Sequence, residues 1–151
     1  YFVVYWSMYN TEAHKPEYTF DYTEADDKEG LKNILWSQFG CKCFRCNVKS
    51  GKNYMERLPV YILDDIAREE RMRFQIGLGY TCKENSNTLT LTTKNPHRVG
   101  LGVRVNIKDS VKRMKLIRGL IMRGVTRIGI YTDYIYYDTD SLKEMGFFIK
   151  S

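Results

Sequence analysis

The sequence predicts an α+β domain: a small antiparallel sheet, concentrated in the second half of the chain, with helices packed on one face. Three features predict it. Twelve tyrosines, seven phenylalanines and two tryptophans suit strands better than a long-helix bundle. Two-residue alternation recurs in Arg73 to Tyr80, Val99 to Ile107, Arg127 to Tyr131 and Tyr134 to Asp138. Two other stretches, beginning near Arg57 and Asp109, carry helical spacing instead. At 151 residues, 43% hydrophobic and 28% charged, the chain matches one globular domain able to bury its own core.

Taken in order, Tyr1 to Tyr9 is β-branched and aromatic, an edge strand or an extended arm. Asn10 to Asp27 is a polar surface loop, so the boundaries are an arm and loop over 1–27 and a domain over 28–151. Asp26 or Asp27 is placed to cap a short helix running to Gln38, with Leu31, Ile34, Leu35 and Trp36 on its apolar side. A helix from Arg57 to about Arg71 has Pro59 in its first turn and Leu58, Ile62 and Ile66 at four-residue spacing. Arg73 to Tyr80 reads as a strand, Lys83 to Asn87 as a loop and Thr88 to Thr93 as an exposed strand. In Val99 to Ile107, Val103, Val105 and Ile107 face one way. Asp109 or Ser110 caps the clearest helix, with Val111, Met114, Ile117 and Ile121 as its stripe, Leu116 and Leu120 widening it and Gly124 closing it. Thr132-Asp133 joins the last two alternating runs as a hairpin, and Phe147 to Ile149 forms a final strand or a docking tail.

The net charge of +6 and pI of about 9.1 favour polyanions such as nucleic acid or cell-wall polymers. Its densest basic cluster, Lys108 to Arg127, also reads as the solvated face of a helix. No nucleic-acid recognition motif is evident. No apolar run approaches the roughly 20 residues of a membrane helix. The chain opens on tyrosine, as a processed or partial chain would, and YFVVYWSMY is too short and too aromatic for a secretory signal.

Cys41, Cys43, Cys46 and Cys82 form C-x-C-x2-C with one distant partner. That set suits a structural tetrahedral zinc, disulfides in an oxidising compartment, or free thiols in a reducing one.

Several segments follow one another in a fixed order. They are Phe39-Gly40-Cys41-Lys42-Cys43, the Leu58 to Arg71 helix, Leu78-Gly79-Tyr80-Thr81-Cys82 and Asn95 to Arg104. The Val111 to Ile121 helix, Arg127-Ile128-Gly129-Ile130-Tyr131 and Tyr134-Ile135-Tyr136-Tyr137-Asp138 complete the series. Together, over Phe39 to Thr139, they resemble the peptidase M15 family, zinc D-Ala-D-Ala and L-Ala-D-Glu cell-wall peptidases common in bacteriophages. Its phage-type members carry F-x-C-x-C, S-G-Y-R-C, S-x-H-x-x-G-x-A-x-D, G-I-G-x-Y and F-I-H-V-D in that order. The resemblance implies the hedgehog/DD-peptidase fold.

At the site the chain departs from the pattern. The family's three zinc ligands fall on His97, Arg104 and Tyr136, so His97 is the only retained metal ligand. The substrate-steadying arginine falls on Thr81. Asp138 matches the acid after the lost histidine, and Asp133 lies where some branches keep a catalytic acid. Arginine stays protonated and has no lone pair to give, and tyrosine would ligate only as phenolate. His14 lies far upstream in a polar loop. No cofactor is therefore expected at the former catalytic site. Arg104 is expected either to replace the metal's charge and pair with Asp133 or Asp138, or to point outward from its strand.

Three readings of function follow. The first is a catalytically inactive M15-like structural or binding component of a phage virion (capsid, tail or decoration protein), located in the particle or in host cytoplasm during assembly. Its contacts with neighbouring proteins would be the Tyr1 to Tyr9 arm and the Phe147 to Ile149 tail. The second is an active zinc-dependent peptidoglycan peptidase with an altered metal site. The third is a peptidoglycan- or nucleic-acid-binding module using the basic helix face.

Overall fold

The computed structural model describes residues 30–43, 45, 46, 53–88, 95–141 and 143–150. The Tyr1 to Tyr9 arm, the loop to Asp27 and all but Thr88 of the predicted Thr88 to Thr93 strand lie outside them. The domain is α+β. Its helices are α1 (Arg57–Glu70), α2 (Lys83–Thr88) and α3 (Ser110–Met122). Its strands are β1 (Gln75–Leu78), β2 (Gly102–Asn106), β3 (Arg127–Tyr131), β4 (Tyr134–Asp138) and β5 (Gly146–Lys150), in the sheet order β1-β2-β4-β3-β5. Among the described residues no helix is long and apolar enough to cross a membrane.

The sheet is mixed rather than antiparallel, because β5 runs parallel to β3. Strand β4 ends with Asp138 beside Arg127, at the start of β3. The chain then steps past β3 and begins β5 with Gly146 beside that same Arg127. A strand reached by skipping one antiparallel neighbour runs parallel to the neighbour skipped. Phe147 to Ile149 is thus part of the sheet and not a free tail, although Ile149 remains exposed.

Alternation builds the core. Val103 and Val105 of β2, Ile128 of β3, and Ile135 and Tyr137 of β4 are completely buried, in one cluster with Val60, Leu63 and Ile66 of α1 and Leu116 and Leu120 of α3. The Tyr137 hydroxyl donates to the Pro59 carbonyl at 2.5 Å, tying the sheet to the first turn of α1. Fully burying one such side chain contributes roughly 1.5–3 kcal/mol. A one-residue slip of β2 would expose both valines and bury Arg104 among apolar groups, so the register is strongly specified.

The predicted helix from Arg57 is present and ends at Arg71, in the left-handed region with φ 52°. Pro59 falls in the first turn, where an N–H has no intrahelical acceptor to lose. Helix α3 begins at Asp109, whose carboxylate accepts from the Lys112 N–H at 2.8 Å. Its buried face differs from the predicted stripe: Leu116, Gly119 and Leu120 are buried, while Val111 and Met114 are 62% and 65% exposed. The helix is turned so that Gly119 meets Ile66 of α1 at the interhelical contact.

Two other expectations fail for local reasons. The helix predicted up to Gln38 is replaced by a single 3-10 turn over Trp36–Phe39. Upstream of it, the N–H groups of Lys32, Asn33 and Ile34 all donate to the Asp64 carboxylate of α1, at 3.2, 2.7 and 3.0 Å. Donors spent on a carboxylate do not propagate a helix. The predicted Lys83 to Asn87 loop is instead the short helix α2, whose Asn85 N–H donates to the Cys82 sulfur one turn earlier at 3.4 Å.

The basic cluster from Lys108 to Arg127 is largely engaged. Arg118 pairs with Glu70 at 2.5 Å, Arg123 pairs with Glu69 and Asp65, and Arg113 donates to the carbonyls of Ile107, Tyr131 and Thr132. These contacts use on α1 and the β3–β4 turn the charges that a polyanion would otherwise meet.

Asp64 is buried, so the three N–H groups it accepts depend on it. Asp64→Ala should destabilise the domain by roughly 3 kcal/mol in urea titration. A loss under about 1 kcal/mol would mean that water replaces the carboxylate without difficulty.

Candidate functional site

The face of the sheet opposite the helices carries a cleft of about 390 Å³. The register that buries Val103 and Tyr137 sets Arg104 directly opposite Tyr136 on this other face. Across the strands one row reads Leu78, Arg104, Tyr136, Gly129 and Phe148. The cleft is lined also by Asn95, Pro96 and His97 from the loop before β2, by Tyr131, Tyr134 and Arg127, and by Lys143. Two glycines keep it open. A Cβ at Gly77 would lie 2.8 Å from Arg104 Nε, and one at Gly129 would strike the Phe148 ring.

His97, Arg104 and Tyr136, separated in sequence, therefore do converge. His97 is buried, its Nδ1 sits 2.9 Å from the Gly79 carbonyl, and its ring meets the Tyr136 ring edge-on with centroids 5.4 Å apart. A carbonyl only accepts, so Nδ1 carries the proton. Burial holds the His97 pKa down to about 4, helped by the Arg104 charge and opposed by the Gly79 hydrogen bond. The ring is neutral at pH 7.

Arg104 lies with its guanidinium 4.8 Å over the Tyr134 ring. Its Nε is buried without a hydrogen-bond partner, and among the described residues it has no carboxylate partner. The expected pairing with Asp133 or Asp138 does not occur. Asp138, 1% exposed, takes the Arg127 Nε at 3.0 Å, the Tyr136 hydroxyl at 2.6 Å and the Asp140 N–H at 3.1 Å. Asp133 is on the exposed β3–β4 turn, 3.7 Å from Lys108, and lines no part of the cleft. Arg104 does lie opposite the core face, as the alternation allowed, but that face is the cleft.

A catalytic zinc does not fit this set of donors. Arg104 brings a fixed positive charge and no lone pair. Burial, and then the Asp138 charge, raise the Tyr136 pKa far above the ordinary phenol value, so phenolate is out of reach. Thr81 is fully buried behind the cleft, its N–H donating to the His97 carbonyl at 3.0 Å and its hydroxyl accepting from Asn85 Nδ2 at 2.8 Å. It braces the His97 loop and touches no ligand space.

The cysteines form a second centre. One sulfur from each of Cys41, Cys43, Cys46 and Cys82 lies within 4.8 Å of the others, and the Cys43 and Cys82 sulfurs are 3.6 Å apart. A tetrahedral zinc with Zn–S of ~2.3 Å requires sulfurs about 3.8 Å apart. The Cys82 N–H donates to the Cys41 sulfur at 3.3 Å and the Asn85 N–H to the Cys82 sulfur, while burial raises the Cys82 thiol above its ordinary value. The Cys46 N–H holds Cys43 down to about 7, while burial pushes Cys46 up to about 12. This donor set is compatible with a structural metal site.

Sequence reading missed most of the cleft's walls. Tyr131, Tyr134, Arg127, Lys143 and Phe148 are not among the site residues that the sequence suggests. The signal is available for one of them, since Tyr134 must share a face with Tyr136 two residues on. Phe148 arrives through the parallel pairing of β5, which alternation does not reveal. No family model matches the chain, and no curated protein matches it in sequence.

His97 makes stability depend on pH. In the unfolded chain it takes a proton near 6.5, in the fold only near 4, so between these values the unfolded state binds more protons. Stability from this group is complete above pH 6.5 and falls as pH falls towards 4, by about 3 kcal/mol in total. The wild-type protein should lose that much more than His97→Gln over this window. Parallel stability profiles of the two proteins would show His97 protonates freely in the fold.

Proposed function

We propose that this chain is a non-catalytic relative of the M15 zinc peptidases, with the hedgehog/DD-peptidase fold, kept as a structural or binding component, and that its four cysteines hold a structural zinc. The observation that supports it is the meeting of His97, Arg104 and Tyr136 in one cleft. The three positions that the resemblance assigns to zinc share a site, yet two carry side chains unable to bind it. Cys41, Cys43, Cys46 and Cys82 would instead hold a closed zinc, which supplies no catalysis and joins the Phe39 to Cys46 segment to the start of α2. The setting in a phage particle follows from the family's frequency in bacteriophages, and the solvent-facing Ile149 on the edge strand suits contact with a neighbouring chain.

Elemental analysis tests the reading. The purified chain should carry one zinc, lost in a Cys43→Ala/Cys46→Ala variant, and should release no fragments from peptidoglycan stem peptides. Reinstating the ligands with Arg104→Asp and Tyr136→His should raise the zinc content to two. Chelator-sensitive cleavage by the wild-type chain would establish an active peptidase instead. For the setting, the chain should be recovered from purified particles by mass spectrometry, and recovery solely as a soluble monomer would remove it.

A further inference from the structure

The cleft has a chemistry of its own, independent of zinc and of any family. Its charge is one-sided. Arg104 and Lys143 both line it, and among the described residues neither has a carboxylate partner. The third lining cation, Arg127, is matched by Asp138. Among the described residues no carboxylate lines the cleft, because Asp138 is shut away beneath Tyr136 and Arg127. Arg104 also influences its surroundings: after burial itself, its charge is what holds Lys42 below the ordinary lysine range. A partly buried guanidinium whose Nε lacks any acceptor is an unusual thing to leave in a fold. An oxyanion in the cleft would supply what is missing.

Two uncompensated cations match a dianion better than a single carboxylate, and a phosphomonoester is close to dianionic at neutral pH. The remaining walls are rings. Tyr131 and Tyr134 stack with centroids 4.4 Å apart and nearly parallel planes, and Phe148 lies 6.0 Å from Tyr136. A volume of about 390 Å³ is far more than a lone phosphate fills and lies in the range of small-molecule sites. Tyrosine faces and a guanidinium plane are surfaces on which nucleobases stack.

We infer that this cleft binds a nucleoside monophosphate unit, its phosphate on Arg104 and Lys143 and its base against the Tyr131 and Phe148 rings. The unit has two sources, a free nucleotide or the phosphorylated end of a single strand.

Calorimetry on the purified chain with AMP, adenosine, inorganic phosphate and a short 5′-phosphorylated oligodeoxynucleotide tests this. AMP should bind with a Kd below about 1 mM, more tightly than phosphate or adenosine. An oligonucleotide that binds tighter than AMP identifies the strand end as the source, and one that binds more weakly identifies the free nucleotide. Arg104→Gln should weaken AMP by at least about tenfold, and Tyr131→Leu, whose ring does not carry Arg104, should weaken AMP while sparing phosphate. Lys143→Gln, which lies outside the core, should also weaken AMP and provides the decisive arm if Arg104→Gln does not fold. Absence of AMP binding, equal affinity for phosphate and AMP, equal affinity for an acetylated dipeptide carboxylate, or unchanged affinity in Lys143→Gln and any folded Arg104→Gln would each overturn the assignment.

Discussion

Strands β2 and β4 lie side by side at the centre of the sheet, and everything else follows from their two-residue period. Val103 opposite Tyr137 and Val105 opposite Ile135 are fully buried against the helices. The residues between them have no choice of side. Arg104 and Tyr136 are therefore neighbours on the reverse face, whatever chemistry they carry. A packing requirement on one surface thus decides the composition of a cleft on the other. Helices α1 and α3 supply the weight that makes this register so much more favourable than its alternatives.

The second organising feature is the stretch Gly79 to Cys82. The Gly79 carbonyl holds His97, the Tyr80 N–H donates to Phe39, the Thr81 N–H holds the His97 loop, and Cys82 joins the other three sulfurs. Four consecutive residues thereby connect the cysteine centre to the cleft wall. Asp64 acts similarly on the residues just before the cysteines, drawing Lys32 to Ile34 onto α1 through three backbone donors to its carboxylate. Much of the segment that precedes α1 is held in place by these polar anchors, with Ile34 and Phe39 adding apolar contact.

What was legible in the sequence was whatever depends on period and punctuation. Strands β3 and β4 and their turn follow from alternation around Thr132-Asp133, and the bounds of α3 follow from Asp109 and Gly124. What escaped was decided by distant partners. No local pattern shows that Asp64 will take three N–H groups from thirty residues upstream, although an acid on the stripe of Val60, Leu63 and Ala67 was a clue. The rotation of α3 depended on Gly119 meeting Ile66. At the site, Arg104 and Tyr136 meet through the pairing of β2 and β4, and His97 lies against Tyr136. No local pattern shows that Arg127 will partner Asp138, because it approaches across the β3–β4 pairing.

Strand β5 has a consequence beyond completing the sheet. Among the described residues it is an edge strand, and its side chains alternate between the two surfaces, Phe148 forming part of the cleft wall while Phe147 touches the core. A second polypeptide that added itself along the outer edge of β5 would engage the backbone carrying Phe148. Assembly at the rim and occupancy of the cleft would then be mechanically linked through one phenyl ring, so that each could be read out at the other.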